Sequence, residues 1–209
     1  DLMATCTSRL SRNFQLGELI AMDLSLIEAK ERVGQVAEGA RTLEVQGLDG
    51  NYEEISETIT LNGTSAVTTT ASFLRVFRGK VLTAGSSGTN EGNITASIGG
   101  NDIARISAAN GGQTLMAVYT IPTGKKGYLL KFQGSLSKNQ EAQFMIRTKN
   151  GTTDAGWQVK GMFGTFANTV GYEYPVPLEI KEETDIEIRA KVGATSEIGA
   201  IFDLVLIND

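Results

Sequence analysis

The sequence contains no histidine, the side chain that most often serves as a general base or a metal ligand. Catalytic triads that depend on imidazole are therefore excluded. Its single cysteine, Cys6, cannot form a disulfide within the chain, so the fold must be held by packing. With one cysteine and no histidine, a structural zinc site is not expected.

Long apolar runs and clusters of basic charge are also missing. No apolar run approaches the roughly 20 residues that a transmembrane helix needs, so we expect no membrane partner. The net charge is −5 and the Lys and Arg residues form no long block, which argues against a nucleic-acid partner. The first residues lack the charged and apolar regions of a signal peptide.

What the sequence does contain, from residue 41 onward, is alternation of apolar and polar residues. This pattern indicates β-strands with one buried face. Gly- and Asn-rich turns separate the strands, and Asp49-Gly50 predicts a hairpin whose turn needs a positive φ. The chain is long enough to bury a core. We therefore predict an all-β fold, an antiparallel β-sandwich of jelly-roll type.

Strand parity predicts which side chains face the core. The inward-facing residues on two of the strands are predicted to be Tyr128, Leu130, Phe132, Leu136, Trp157, Val159 and Phe163. The aromatic-rich stretch of Trp157, Phe163, Phe166, Tyr172 and Tyr174 could instead stack on sugar rings, although core packing of Trp157 and Phe163 is the favoured interpretation. Pro175 and Pro177 predict that their segment lies at a sheet edge or at a crossing. The last strand is apolar on both faces, which predicts a central position or cover from another chain.

The chain divides into three parts. Residues 1–40 are predicted to be a short N-terminal arm, residues 41–110 a β-rich region and residues 111–209 the jelly-roll-like sandwich, with 41–209 as one domain as the alternative. In the arm, Ser25 and Glu28 form a capping-box pattern that favours a short helix, whereas alternation from Ile20 to Leu26 suits a strand. Both remain open, with helix favoured.

Carboxylates are the only side chains that suggest chemistry. Two clusters stand out: Glu53, Glu54 and Glu57, and Glu182, Glu183 and Asp185. A glycosidase needs two carboxylates across a cleft, and Asp49 with Glu53 could bind calcium. The full calcium-loop pattern is absent, and solvated turns and strand faces explain both clusters more simply. We therefore assign no catalytic, cofactor-binding or metal-binding residues, and we expect no cofactor.

Two stretches of the chain resemble a known family. Residues 39–64 read GARTLEVQGLDGNYEEISETITLNGT, and the likeness continues through residues 73–76. Residues 185–190 and 202–204 are similar to the closing strands of the same proteins. These are virion structural proteins of tailed bacteriophages, especially marine and cyanobacterial ones, and the resemblance spans roughly residues 39–209. It implies a β-sandwich particle component without an active site.

The resemblance implies a non-enzymatic structural role in a phage particle, on the capsid surface as a decoration or cement protein, or at the head–tail region. Its partners would be capsid or tail subunits, and it would reside in the virion. A homo-oligomer is expected because the last strand is apolar on both faces. The resemblance to phage proteins implies that this oligomer is a trimer. The alternative is a carbohydrate- or receptor-binding module of a tail fibre, and a carboxylate-based glycan hydrolase ranks third.

Overall fold

The computed structural model describes residues 40–85, 88–108, 111–193 and 196–209. These residues form twelve β-strands and no helix, and each strand pair whose register is defined is antiparallel. The prediction of an all-β, antiparallel fold is thus confirmed. The predicted arm lies outside the described residues, except for Ala40, and so does Cys6.

The strands follow one another along the chain without intervening helices. Those in the first half are β1 (Ala40–Leu48), β2 (Glu54–Thr60), β3 (Arg75–Ala84), β4 (Ile94–Ile98) and β5 (Asn101–Ile106). Those in the second half are β6 (Val118–Thr120), β7 (Lys125–Leu136), β8 (Glu141–Asn150), β9 (Gln158–Phe166), β10 (Val170–Ile180), β11 (Thr184–Val192) and β12 (Ile198–Asn208).

The chain separates into two compact units. Unit 1 consists of Asp1–Val45, Glu57–Thr70 and Arg78–Thr114, and unit 2 consists of Gln46–Ser56, Ala71–Phe77 and Leu115–Asp209. Strands β1, β2 and β3 form a sheet of order β2-β1-β3 and run through both units. The division into residues 1–40, 41–110 and 111–209 stays a prediction.

Unit 2 is built on a β-sandwich. One sheet has four strands in the order β6-β11-β8-β9, and the other has three in the order β10-β7-β12. From β6 to β12 the chain crosses to the other sheet at every connection except β8 to β9, which are neighbours in the four-stranded sheet. Both sheets contribute to one buried core: Ile121, Leu129, Phe132, Leu136, Ala142, Phe144, Ile146, Ile180 and Ile186.

Aromatic packing holds the two sheets of unit 2 together. The ring of Phe132 on β7 lies 5.8 Å from that of Phe144 on β8, and 4.9 Å from that of Phe163 on β9. Gly134 leaves room for this packing, because a Cβ at that position would lie 2.9 Å from the Phe144 ring. The glycine is therefore required by the close approach of an aromatic side chain to the β7 backbone.

Unit 1 has a smaller core of its own, formed by Leu43, Val45, Ala104 and Ile106. Its buried polar groups are paired. The Gly79 amide donates to the Thr114 hydroxyl at 3.0 Å, and the Thr114 amide donates to the Gly79 carbonyl at 2.9 Å. These bonds satisfy backbone groups that would otherwise be costly to bury.

Two β-bulges move side chains to the face opposite the one predicted. The register of β7 shifts at Leu130, so that Leu129 is buried while Leu130 is exposed. The pairing of β8 with β9 shifts after Ile146, so that Phe163 packs on the core while Trp157 and Val159 face outward. A bulge adds one residue and reverses strand parity beyond it, so the core prediction is wrong for Tyr128, Leu130, Trp157 and Val159.

The last strand, β12, pairs only with β7 among the described strands and lies at an edge of its sheet. Its outward residues Ile201, Val205 and Ile207 are exposed. The prediction of a central strand is therefore wrong. Strand β10, which contains Pro175 and Pro177, forms the other edge of this sheet, as the prolines predicted.

The hairpin predicted at Asp49-Gly50 connects β1 to β2, but its turn differs from the prediction. The positive φ falls on Tyr52, at 60°, and not on Gly50. Oδ1 of Asp49 accepts hydrogen bonds from the amides of Asn51, at 2.8 Å, and Glu53, at 3.0 Å. The aspartate side chain stabilises a longer turn, so a two-residue primed turn is not needed.

Candidate functional site

Unit 2 brings members of both carboxylate clusters to the turn between β6 and β7. Glu54, at the start of β2, accepts a hydrogen bond from the Tyr119 hydroxyl at 3.0 Å. The Lys125 ammonium lies 3.3 Å from the other oxygen of the same carboxylate. Glu182 accepts a hydrogen bond from the Gly124 amide at 2.7 Å. We call these groups, with Asp185, Arg75 and Thr120, the β6–β7 polar cluster.

Asp185 is the most highly bonded carboxylate of the β6–β7 polar cluster. Its oxygens accept two hydrogen bonds from the Arg75 guanidinium, at 2.9 and 3.0 Å. The Thr120 hydroxyl donates a third at 2.7 Å. This two-point pairing ties the start of β3 to β11 within unit 2, and the carboxylate has the geometry of a structural anchor.

Two groups of this cluster, Tyr119 and Arg75, have raised pKa values. Burial raises the pKa of Tyr119, and the Glu54 carboxylate raises it further, so the phenol stays protonated and cannot act as a base near neutral pH. The hydrogen bond to Asp185 raises the pKa of Arg75, which keeps the guanidinium charged. Both Tyr119 and Arg75 are therefore held in their protonated forms near neutral pH.

The remaining predicted carboxylates either form hydrogen bonds that stabilise the fold or have no side-chain partner among the described residues. Glu57, in unit 1, accepts hydrogen bonds from the amide and hydroxyl of Thr70, at 2.9 and 3.0 Å. Asp49 stabilises its own turn. Within residues 40–85, 88–108, 111–193 and 196–209, no group of three or more acidic, Cys or His side chains is arranged to hold a metal ion.

A second polar cluster, which the sequence did not reveal, lies on the outer face of the four-stranded sheet. Glu187 on β11 is only 7% exposed and pairs with the guanidinium groups of Arg147 and Arg189. The Arg147 guanidinium lies 4.5 Å from the Trp157 ring centre, within range of a cation–π contact. The hydrogen bond to Glu187 raises the pKa of Arg189.

Only the register makes this second cluster visible. Arg147 on β8 lies directly opposite Glu187 on β11, and Trp157 comes into reach because of the bulge between β8 and β9. The alternation of Glu187 and Arg189 along β11 was a partial signal, since residues two apart share a face.

No helix among the described residues is both long enough and apolar enough to cross a membrane.

Comparison with known proteins gives a match at the start of the chain. A family model described as bacterial GPD, NAD-dependent C-terminal, matches residues 1–55. The glycerol-3-phosphate dehydrogenase (NAD(P)+) of Azotobacter vinelandii is 53% identical over 55 residues, which are 26% of this chain and 16% of that protein. The enzyme of the same name from Protochlamydia amoebophila is 52% identical over 42 residues, 20% of this chain and 13% of that protein.

The chain therefore spans about a sixth of the Azotobacter relative, 16% of its length. The match overlaps the described residues only at positions 40–55, which comprise β1, its turn and the beginning of β2. No solved structure matches the chain.

These relatives overturn the virion interpretation. They are named as glycerol-3-phosphate dehydrogenases, so the predictions of a phage structural role, a tail-fibre module, virion location and capsid or tail partners are wrong. The expectation of a trimer rested on the same resemblance and is therefore no longer supported. Alternating strands and Gly-rich turns recur in unrelated antiparallel proteins, so such a pattern does not by itself identify a family.

The prediction that the protein is not an enzyme is contradicted by the same relatives. It rested mainly on the missing histidine. That absence excludes imidazole-dependent mechanisms, but in nicotinamide-linked oxidoreductases the cofactor carries the hydride chemistry and the protein supplies binding and orientation. Composition alone was therefore too weak a basis for excluding catalysis.

Proposed function

We propose that this protein acts on glycerol 3-phosphate as part of an NAD(P)-linked dehydrogenase, with residues 1–55 as the contributing segment. The observation that carries the proposal is the 53% identity over 55 residues to a glycerol-3-phosphate dehydrogenase. The family model that covers the same residues describes a C-terminal dehydrogenase region, which supports the same activity.

The end of this segment is anchored in unit 2. The Tyr52 carbonyl accepts a hydrogen bond from the Thr123 amide at 3.0 Å, and Glu54 bonds to Tyr119 and Lys125. A Cβ on Gly151 would lie 2.0 Å from the Tyr52 hydroxyl, so the tyrosine packs directly on that glycine. These contacts support a mechanical link between the dehydrogenase-like segment and the sandwich.

The described residues do not fit a dinucleotide. Nicotinamide dinucleotides are commonly bound where a glycine-rich turn joins a parallel strand to a helix, with the phosphates at the helix N-terminus. Residues 40–209, where described, form antiparallel strands without a helix. We therefore assign no dinucleotide contact to the β-sandwich, and the proposal assigns glycerol 3-phosphate and the nicotinamide cofactor no contact with it.

The test is an assay of the intact chain with glycerol 3-phosphate and either NAD+ or NADP+, followed by the absorbance of reduced nicotinamide. Glycerol serves as the control substrate because it lacks the phosphate. We expect reduction that depends on glycerol 3-phosphate. Absence of both turnover and calorimetric binding of glycerol 3-phosphate would refute the proposal.

A matched pair of variants tests the anchor. Glu54→Ala removes the contacts to Tyr119 and Lys125, whereas Glu53→Ala changes a neighbouring carboxylate that makes no side-chain bond to a described residue. We expect Glu54→Ala to lower turnover, with Glu53→Ala close to the unaltered protein. Equal turnover in the two variants would show that the link to the sandwich does not matter for activity.

A further inference from the structure

The sequence contains one tripeptide, Asn-Gly-Thr, at two described places, residues 62–64 and residues 150–152. Asn-Gly is the dipeptide most prone to spontaneous loss of the asparagine amide, because glycine has no Cβ to shield its backbone nitrogen. Since the local sequences are identical, any difference in reactivity between the two sites must come mainly from structure.

Asn62 is exposed and lies in a tight turn of unit 1. The Ser65 amide donates to the Asn62 carbonyl at 3.0 Å, and Gly63 between them has a φ of +58°. No heavy atom lies within 4 Å of a Cβ built on Gly63. Neither the side-chain amide of Asn62 nor the Gly63 amide bonds to any residue in the described part of the chain.

Asn150 has the opposite environment at the end of β8. Its side-chain nitrogen donates to the Glu182 carbonyl at 2.9 Å and to the Thr184 hydroxyl at 3.0 Å. Its side-chain oxygen accepts from the amide and hydroxyl of Thr152, at 3.0 and 2.7 Å, and from the Thr153 amide at 2.9 Å. These five hydrogen bonds fix the side chain of Asn150.

The backbone nitrogen that would attack Asn150 is also held. The Gly151 amide donates to the Glu183 carbonyl at 2.9 Å, and the Tyr52 side chain covers Gly151. Reaction at this site would require several hydrogen bonds to break together, each of which opposes the change.

We propose that Asn62 is a site of spontaneous deamidation and that Asn150 is protected from it by the fold. The Gly63 nitrogen attacks Cγ of Asn62, and the side-chain nitrogen leaves as ammonia together with the amide proton. A five-membered succinimide results. Water then opens the ring at either carbonyl and gives aspartate or isoaspartate at position 62.

Deamidation of Asn62 would change the charge and the backbone only in the turn that contains it. Each deamidated chain gains one negative charge in the turn after β2, and the isoaspartate form lengthens the backbone there by one methylene. Beyond the two adjacent residues, no heavy atom lies within 4 Å of a Cβ built on Gly63, so the turn has open space on that side.

The experiment is incubation of the intact chain at mildly alkaline pH, followed by proteolysis and mass spectrometry of the peptides that contain each asparagine. We expect Asn62 to react at least about tenfold faster than Asn150, equal to about 1.4 kcal/mol of activation free energy. In denaturant the two rates should converge, because the tripeptides are identical. Equal rates in the folded protein, or a faster reaction at Asn150, would overturn the proposal.

A second measurement uses variants that keep both asparagines. Thr152→Ala combined with Thr184→Ala removes two side-chain partners of Asn150, so its deamidation should accelerate while that of Asn62 stays unchanged. Circular dichroism confirms that the variant is folded. A folded variant in which Asn150 remains as slow as before would show that these hydrogen bonds do not protect it.

Discussion

At the scale of single residues, two tyrosines of unit 2 present their hydroxyl groups to different surroundings. The Tyr119 hydroxyl donates to the Glu54 carboxylate at 3.0 Å. The Tyr174 hydroxyl is buried and has no hydrogen-bond partner among the described residues. Its ring lies 4.9 Å from that of Tyr172 in an edge-on contact, so the apolar part of the side chain is well packed.

We therefore expect opposite effects when each hydroxyl is removed. Tyr174→Phe should stabilise the protein by about 1 kcal/mol, because it removes an unsatisfied buried group and keeps the ring. Tyr119→Phe should destabilise it by about 1–2 kcal/mol, because Glu54 loses a partner. Urea unfolding followed by circular dichroism measures both changes. The interpretation of Tyr174 fails if its variant is the less stable of the two.

At the scale of elements, β12 has one face on the core and one face in solvent. Phe202 packs against the core and lies opposite Phe132, whereas the preceding residue, Ile201, is 56% exposed and lies opposite Gln133. The two side chains therefore differ in burial although they are adjacent in sequence.

This difference predicts how the strand responds to truncation. Phe202→Ala should cost about 2–3 kcal/mol, somewhat less than a fully buried phenylalanine, since Phe202 is half-buried. Ile201→Ala should cost less than about 0.5 kcal/mol, as is usual for an exposed site. Chemical denaturation of the two variants provides the measurement. A large loss for Ile201→Ala would mean that the outer face is covered in solution.

Strand alternation was enough to predict most elements and the edge position of β10. The errors began at bulges. Leu130 and Trp157 fit the parity of their segments, but one extra residue in the pairing turned each of them outward. Alternation within one strand cannot reveal a bulge, because a bulge is a property of two paired strands.

Prediction of the candidate sites from sequence has the same limit. The sequence placed Glu54 and Asp185 in separate clusters, 131 positions apart by their numbering. Tertiary structure brings both to the β6–β7 polar cluster, and their partners Arg75, Tyr119 and Lys125 come from other segments. Long-range pairing of this kind depends on topology, which a single sequence does not encode in its local pattern.

At the scale of the whole molecule, tyrosine burial links stability to alkaline pH. Burial raises the pKa of both Tyr119 and Tyr174 above the ordinary value. In the unfolded chain both ionise near pH 10, so above that pH the folded state binds more protons than the unfolded state. This contribution to stability is complete below about pH 10 and is lost as the pH rises further.

The free energy of unfolding should accordingly fall as pH rises above about 10. Denaturant titrations at a series of alkaline pH values test this. The double variant Tyr119→Phe with Tyr174→Phe lacks both hydroxyls, and its free energy of unfolding should fall less steeply with pH. If the slopes are identical, other groups account for the alkaline loss.

The single tryptophan also determines what optical measurements can see. Trp157 belongs to unit 2, where its indole lies against the Arg147 guanidinium. Its emission therefore reports on the sandwich and is silent about unit 1, which contains no tryptophan. A fluorescence melting curve would describe only half of this protein, and agreement with a backbone signal is needed before unfolding can be called a single cooperative event.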